Sequence, residues 1–242
     1  MTRPRTLVAL LLGLFLTSSV VAAGLPAAHK IEGVPRFKQL YNYCGPAVMA
    51  SVFQALGKDL TQERIGRVIY DTVSGATHGG DMLFYAREQG FAAYSWNTTV
   101  ADVKRMLAAD LPVIVLQQNS EKDSSGHYRV LTGYDDEKSK FCVVDPYYDA
   151  ITEQSYTDCE KLWTKWGHWA LLIVPKEKDC YQKELDERNA VVHMDLGFAK
   201  YKRKDYAGAM AEAKLALTLE PRSQYTVNLV EKIQRATGAG AR

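Results

Sequence analysis

A cysteine followed directly by glycine and proline, Cys44-Gly45-Pro46, has a glutamine five residues upstream at Gln39. Proline suits the first turn of a helix, where its missing N–H removes no intrahelical bond. Cys44 is therefore expected at a helix N-terminus, where the helix dipole favours thiolate. Such a site with an imidazole nearby brings a cysteine pKa of ~8.5 down toward ~3.5–7.5. A thiolate nucleophile also needs a base and a donor for the oxyanion it creates. Gln39, in a constrained Tyr-rich turn, can return its amide toward Cys44 as that donor. His127 opens an apolar strand after a polar loop and is the candidate base. Asp145, eighteen residues later, ends the next strand, so an antiparallel pair sets its carboxylate beside the imidazole. Nucleophile, base and orienter make a Cys-His-Asp triad, to which Gln39 adds the oxyanion donor. On this reading Asp145→Asn is the mildest triad change, since an amide can still hold the ring.

The elements that must carry these residues are legible in the pattern. Val48, Met49, Val52, Phe53 and Leu56 recur at helical spacing after Pro46, and Gly57 stops the helix. A second helix is expected from Thr61 to Asp71, then a loop containing His78-Gly79-Gly80. Asp81 is expected to cap a helix ending at Gly90. Phe91 to Trp96 reads as a strand, and Thr99 with Asp102 resembles a capping box for a helix to Ala109. From Pro112 the period becomes that of strands: Pro112 to Gln117, His127 to Thr132, Lys140 to Val144 and Trp169 to Val174, with a turn at Asp135-Asp136-Glu137. Helices first and an antiparallel sheet after them define an α+β domain.

Residues 176–242 are helical throughout. A 34-residue unit counted back from Pro221 starts at Ala190 and puts Leu196, Gly197, Ala209 and Pro221 on tetratricopeptide positions, with His193 and Lys200 departing from the pattern. One repeat plus the helix Gln224 to Arg235 cannot bury its own apolar face, so it is expected to pack on the preceding domain. The run Lys200-Tyr-Lys-Arg-Lys204 reads as a solvated face rather than a nucleic-acid site.

Three segments together carry a resemblance: Gln39-Leu-Tyr-Asn-Tyr-Cys44-Gly-Pro-Ala-Val, Gly126-His127-Tyr-Arg-Val-Leu-Thr-Gly-Tyr-Asp135 and Val144-Asp145-Pro146. They resemble the motifs of the double-glycine-leader peptidase-like family, a papain-like group of cysteine peptidases. The resemblance covers about residues 33–175 and implies a papain-like fold, with Gln39 as oxyanion donor, Cys44 as nucleophile, His127 as general base and Asp145 as orienter. Secreted bacterial members that join this domain to tetratricopeptide helices resemble the whole chain, including Gly167-His168-Trp169 before the last strand. The family's best-known members are fused to export transporters and cut leaders on the cytoplasmic side. This chain instead carries an export-type leader, and Tyr43 stands where transporter-fused members often hold Asp.

That leader is Arg3 and Arg5, the apolar run Leu7 to Leu16, polar Thr17-Ser18-Ser19 and then Val21-Ala22-Ala23. It has the three parts of a secretory signal peptide over residues 1–23, with the mature chain beginning near Gly24. The apolar run is shorter than the ~20 residues a spanning helix needs, so no stable membrane insertion is expected after cleavage. An uncleaved anchor over residues 7–28 is the alternative. Either outcome gives a periplasmic or secreted protein, where disulfides can form.

The chain has 242 residues, 47% hydrophobic and 24% charged, which excludes a multi-span transporter. Its charge of +2 is that of Arg3 and Arg5, and the remainder is neutral, with no pull toward nucleic acid. The domains are thus a leader (1–23), a papain-like domain (33–175) and tetratricopeptide-like helices (180–237). Cys142, Cys159 and Cys180 have no catalytic part: a Cys159–Cys180 bridge is expected, with Cys142–Cys159 the competitor and Cys142 otherwise a buried free thiol. No His, Cys and carboxylate set has metal-ligand spacing, and no cofactor is implied. His78 either lines the cleft or is solvated, and His168 helps pack the domain's end. The expected partner is a peptide or protein substrate, with a further protein partner for the C-terminal helices. A non-catalytic peptide-binding adaptor and an acyl-transferase using the same triad are the competing functions.

Overall fold

The computed structural model describes residues 24–148 and 152–238; the expected signal peptide lies outside them. The elements are β1 (Ala28–Lys30), α1 (Cys44–Ala55), α2 (Gln62–Ile69), β2 (Tyr70–Asp71), β3 (Ala76–Thr77), α3 (Gly79–Glu88), β4 (Ala92–Asn97), α4 (Val100–Ala108), β5 (Val113–Gln118), β6 (Gly126–Asp135), β7 (Lys140–Val144), β8 (Thr152–Ser155), α5 (Tyr156–Thr164), β9 (Trp169–Val174), α6 (Gln182–Leu185), α7 (Ala190–Lys202), α8 (Tyr206–Leu219) and α9 (Gln224–Thr237). The sheet runs β4-β9-β5-β6-β7-β8, with β1 also on β6, and its ladders are antiparallel. This is the expected α+β architecture.

Side chains alternate across a strand, so each strand feeds two cores. Ile114, Val130 and Leu171 meet Val48, Met49 and Phe53 of α1, Ile65 of α2 and Met82 of α3. On the other face Val113, Val115, Leu131 and Leu172 meet Val103 and Met106 of α4 and Cys159 and Trp163 of α5. Hydroxyl caps fix where three of these helices begin: Thr61, Thr99 and Ser155 accept from the backbone N–H of Arg64, Asp102 and Asp158. Each such cap stabilises by about 1 kcal/mol.

The β6–β7 hairpin is not regular. Asp135, Tyr134 and Gly133 pair with Lys140, Phe141 and Cys142, but Leu131 and Val130 pair with Val143 and Val144, so Thr132 is an extra residue on β6. This is a β-bulge, and it shifts the register by one. A Cβ on Gly133 would lie 2.7 Å from the His29 carbonyl oxygen, so glycine lets β1 close over the bulge.

Two local expectations give way to tertiary contacts. The third helix begins at Gly79 with His78 in the capping position, so Asp81 lies inside its first turn rather than capping it. The carboxylate of Asp81 is buried and is taken by Lys202 Nζ at 2.7 Å and Arg203 Nη1 at 2.6 Å. The basic run is therefore no solvated face: Lys202 also reaches Asp71, and Lys200 reaches Glu212. The C-terminal helices lie on the sheet domain, with Val192 and Leu196 of α7 in the same core as α1. Asn189 Nδ2 donates to the Ser95 carbonyl at 2.6 Å, and α8 and α9 share a small core of Ala209, Ala213, Leu229 and Ile233.

Asp81→Ala should lower the unfolding free energy by about 1–3 kcal/mol, the scale of hydrogen bonds to a charged group, because both cations keep some access to water. Urea unfolding of the full chain measures this, and an unchanged midpoint would show that the ion pairs merely decorate the surface. Ending the chain after Pro175 should cost more stability than that, and solubility too, since it uncovers the core that Val192 and Leu196 close.

Candidate active site

Asn42 takes up a positive φ of 57°, a conformation asparagine tolerates better than most residues. The Tyr43 N–H closes the turn on the Leu40 carbonyl at 3.0 Å, which sets Gln39 just ahead of the helix that Cys44 begins. The first turn of α1 contains no acid to oppose a thiolate. Gly45 is seated against β3: a Cβ there would lie 2.7 Å from Thr77 Cβ. Only a residue without a side chain lets the start of α1 come this close.

His127 is the second residue of β6 and is 5% exposed. Its Nε2 is 2.8 Å from Asp145 Oδ1, which leaves Nδ1 as the ring nitrogen available to the Cys44 thiol. Burial pushes the Cys44 thiol up, but the hydrogen bond and charge of His127 and the N–H groups of Tyr128 and Gly45 outweigh it, leaving the pKa below its ordinary value. For His127 burial acts downward, and the Asp145 and Cys44 partners overcome it, so its pKa is raised. Asp145 is lowered despite burial, by His127, Arg129 and the Tyr147 N–H. A lowered thiol and a raised imidazole narrow the gap between the two groups and so favour transfer of the thiol proton to the ring.

Gln39 reaches the same place by its backbone, its N–H donating to the Pro146 carbonyl at 3.0 Å, one residue beyond Asp145. Its side-chain oxygen is enclosed and has no hydrogen-bond partner among the described residues. The structure thus brings His127 and Asp145 together, with Cys44 on the other side of the ring, and sets the Gln39 backbone beside the residue that follows Asp145. His78 and His168 do not join them: His78 bonds Ser74 Oγ at 3.1 Å and is half exposed, and His168 pairs with Glu160 at 2.7 Å against the ring of Trp163. Among the described residues no group of His, Cys and carboxylates is arranged to hold a metal.

One buried residue escaped the sequence reading. Arg129, 6% exposed, donates from Nε to Asp145 Oδ2 at 2.7 Å. The available signal was a charge two residues after His127 in an otherwise apolar strand, which puts both on one face. The expected disulfides are absent: Cys44, Cys142, Cys159 and Cys180 are free thiols. Cys159 is buried on α5 with its sulfur 3.1 Å from Gln117 Nε2, whereas Cys180 is exposed after β9, so the pair is not in bonding reach. Cys142 is half-buried on β7 rather than fully buried.

A helix-borne cysteine facing a strand-borne histidine and aspartate defines the papain-like class of fold. The Peptidase C39 like family matches residues 31–170, and the chain belongs to that family. A C39-like peptidase from Bacillus anthracis is similar in structure, with a TM-score of 0.50 and 16% identity over 61% of this chain and 97% of that one. The peptidase domain of Streptococcus ComA, a bifunctional ABC transporter, gives a TM-score of 0.48 and 22% identity over 60% of this chain and 100% of that one. A double glycine motif protease from an AMS/PCAT transporter, crystallised with its leader peptide, gives 0.48 and 18% over 61% and 95%. No curated protein matches the chain in sequence.

Alkylation of Cys44 by iodoacetamide, followed by mass spectrometry of its peptide, should show reaction well below pH ~8.5, where a free thiol is still protonated. In His127→Ala the burial remains without its counterweight, so the rate should rise only at or above pH ~8.5. Coincident profiles would show that no ion pair forms.

Proposed function

We propose that this protein is an exported cysteine peptidase that cleaves peptide bonds of a peptide or protein substrate. The observation that supports this reading is the buried 2.8 Å contact of Asp145 Oδ1 with Nε2 of His127, an imidazole that also lowers the pKa of the Cys44 thiol. His127 Nδ1 takes the Cys44 proton, and the sulfur attacks the carbonyl carbon. The Gln39 amide and the Cys44 N–H hold the oxyanion. Collapse of the tetrahedral intermediate breaks the C–N bond as His127 returns the proton to the leaving amine, leaving a thioester. Water, deprotonated by His127, releases the acid and regenerates the thiol. The leader read over residues 1–23 supports export of this activity to the periplasm or outside the cell. The C-terminal helices, read as tetratricopeptide-like, present a surface for a protein partner. Among the described residues no helix is long and apolar enough to cross a membrane.

The surroundings of Asp145 change one expectation. His127 Nε2, Arg129 Nε and the Tyr147 N–H all donate to it. An asparagine must turn its NH₂ toward one of these donors. If it faces His127, the ring is forced into the tautomer with Nδ1 protonated, which cannot accept the thiol proton. In that orientation Asp145→Asn costs on the order of 10⁴ in rate, as in other triads where the tautomer is lost, whereas with the NH₂ turned toward Arg129 the amide oxygen still holds the ring.

Cleavage of a peptide library by the purified protein tests the proposal. Cys44→Ala should abolish turnover with an unchanged thermal melt, since a small side chain replaces another at a helix start. Gln39→Ala should retain activity lowered on the order of 10²–10³. Cleavage that survives in Cys44→Ala would remove Cys44 as nucleophile, and peptide binding without turnover in the wild type would make the chain a binding module.

A further inference from the structure

An arginine buried in an apolar strand must find partners for a charge and five N–H donors. Arg129 finds them in two directions. Nε donates to Asp145 Oδ2 at 2.7 Å, while Nη1 donates to Gln117 Oε1 at 3.1 Å and the Gln118 carbonyl at 3.3 Å, and Nη2 to the Asn119 carbonyl at 2.8 Å. Three of these four acceptors belong to the end of β5 and the residue after it. The guanidinium is thus fixed by neighbouring backbone and by Gln117, whose own Nε2 is held by Gln154 Oε1 at 3.2 Å and Cys159 Sγ at 3.1 Å. The planar fork is anchored first, and Asp145 is what it anchors.

Register places the two side chains opposite one another. Val130 pairs with Val144, so the next step of the ladder sets Arg129 against Asp145, with His127 on the diagonal of the same face. The two carboxylate oxygens then bind different donors, Oδ2 accepting from Arg129 and Oδ1 from His127 and the Tyr147 N–H. Without the guanidinium, Oδ2 would be a buried acceptor with no donor. The carboxylate would then bind a proton or swing away, and His127 would lose the partner that fixes its tautomer. With the guanidinium, thiolate, imidazolium, carboxylate and arginine sum to zero charge within one enclosed cluster.

We infer that Arg129 is a positioning residue of the reaction, holding the Asp145 carboxylate in the orientation that keeps Nε2 of His127 protonated and Nδ1 free for Cys44. The inference rests on the peptidase reading of the site. Lysine cannot replace it fully, because a single ammonium cannot span Asp145 and the carbonyls of residues 118 and 119.

The test is the pH profile of Cys44 alkylation by iodoacetamide, read on the Cys44 peptide in the full chain, for wild type, Arg129→Met, Arg129→Lys, Asp145→Asn and the double variant Arg129→Met/Asp145→Asn. Arg129→Met should move the thiolate limb upward by about one pH unit or more, roughly a tenfold lower rate near neutral pH. Arg129→Lys should fall between it and wild type. In the Asp145→Asn background Arg129→Met should cause no further loss and can recover part of the rate, because the residue acts through Asp145 and its removal frees the amide to turn its NH₂ away from His127. A shifted wild-type limb that both Arg129 variants retain, or effects that add fully in the double variant, would overturn the inference and leave the peptidase reading standing. A wild-type limb at the free-thiol position would overturn that reading, and this inference with it. If Arg129→Met does not fold, as its melting curve will show, Arg129→Lys decides: a wild-type limb in it overturns the inference, and a raised limb supports it.

Discussion

An ionised carboxylate that is 1% exposed, Asp145, is the constraint around which the rest of this site is arranged. Taking one such charge out of water costs several kcal/mol unless donors surround it. The chain supplies three, and they come together only because of the bulge at Thr132. Continued unbroken from the turn, the pairing of Asp135 with Lys140 would bring Asp145 opposite Val130 and turn it toward the apolar core beneath α1. A one-residue slip moves every side chain to the other face. The extra residue therefore decides whether Asp145 shares a face with His127 or is buried among valines. Gly133, beside the bulge, and the edge strand β1 that crosses it belong to the same arrangement. So does the Pro146 carbonyl, which draws the Gln39 turn to the same loop.

The sequence disclosed what short-range physics controls. The Gly45-Pro46 start of α1, the Thr99–Asp102 capping pair and the alternation along β5, β6, β7 and β9 all follow from local pattern, and with them the approach of Cys44, His127 and Asp145. The misses share a cause in contacts between distant residues. Strand β1 is three residues without alternation, defined only by pairing with residues 133–135, and β8 is a polar edge strand. Asp81 follows the capping rule in isolation. Yet Gly79 and Gly80 let α3 start earlier, against Trp169 and the Asp195 backbone, and the partners of Asp81 lie 121 and 122 residues away. A charge-run rule cannot see an acid so remote, and it read the basic run of α7 as solvated. Arg129 was the nearest to being legible, since period two alone puts it beside His127.

The C-terminal helices are part of the wall behind the site rather than an appended module. Asp195 of α7 accepts from Trp169 Nε1 at 2.8 Å, and the Trp169 ring meets the edge of Tyr128 with centroids 5.8 Å apart. The Tyr128 N–H is one of the donors that lower the Cys44 pKa, and its hydroxyl donates to the Thr77 carbonyl at 3.2 Å, behind Gly45. Packed contacts of this kind transmit displacement, because protein interiors are close-packed and deform little. A set of three helices too small to bury its own apolar face finds that burial here, and the sheet gains a covering for Trp169 in return.

Cysteine alone does not make a nucleophile, and this chain contains its own controls. Cys159 is as enclosed as a thiol can be, but its nearest polar partner is the neutral amide of Gln117, and burial pushes it up to about 12. Cys142 is raised by partial burial, with Lys30 only partly offsetting it. Cys44 is also substantially enclosed, so desolvation acts on it in the same direction, yet its pKa falls. The difference between Cys44 and Cys159 is therefore not exposure but the imidazole that faces the first and not the second. That imidazole is basic because Asp145 is ionised, and Asp145 stays ionised because Arg129 and the Tyr147 N–H share the carboxylate with it. The lowered thiol pKa at the start of α1 is in this sense a property of the β6–β7 hairpin, delivered through one ring.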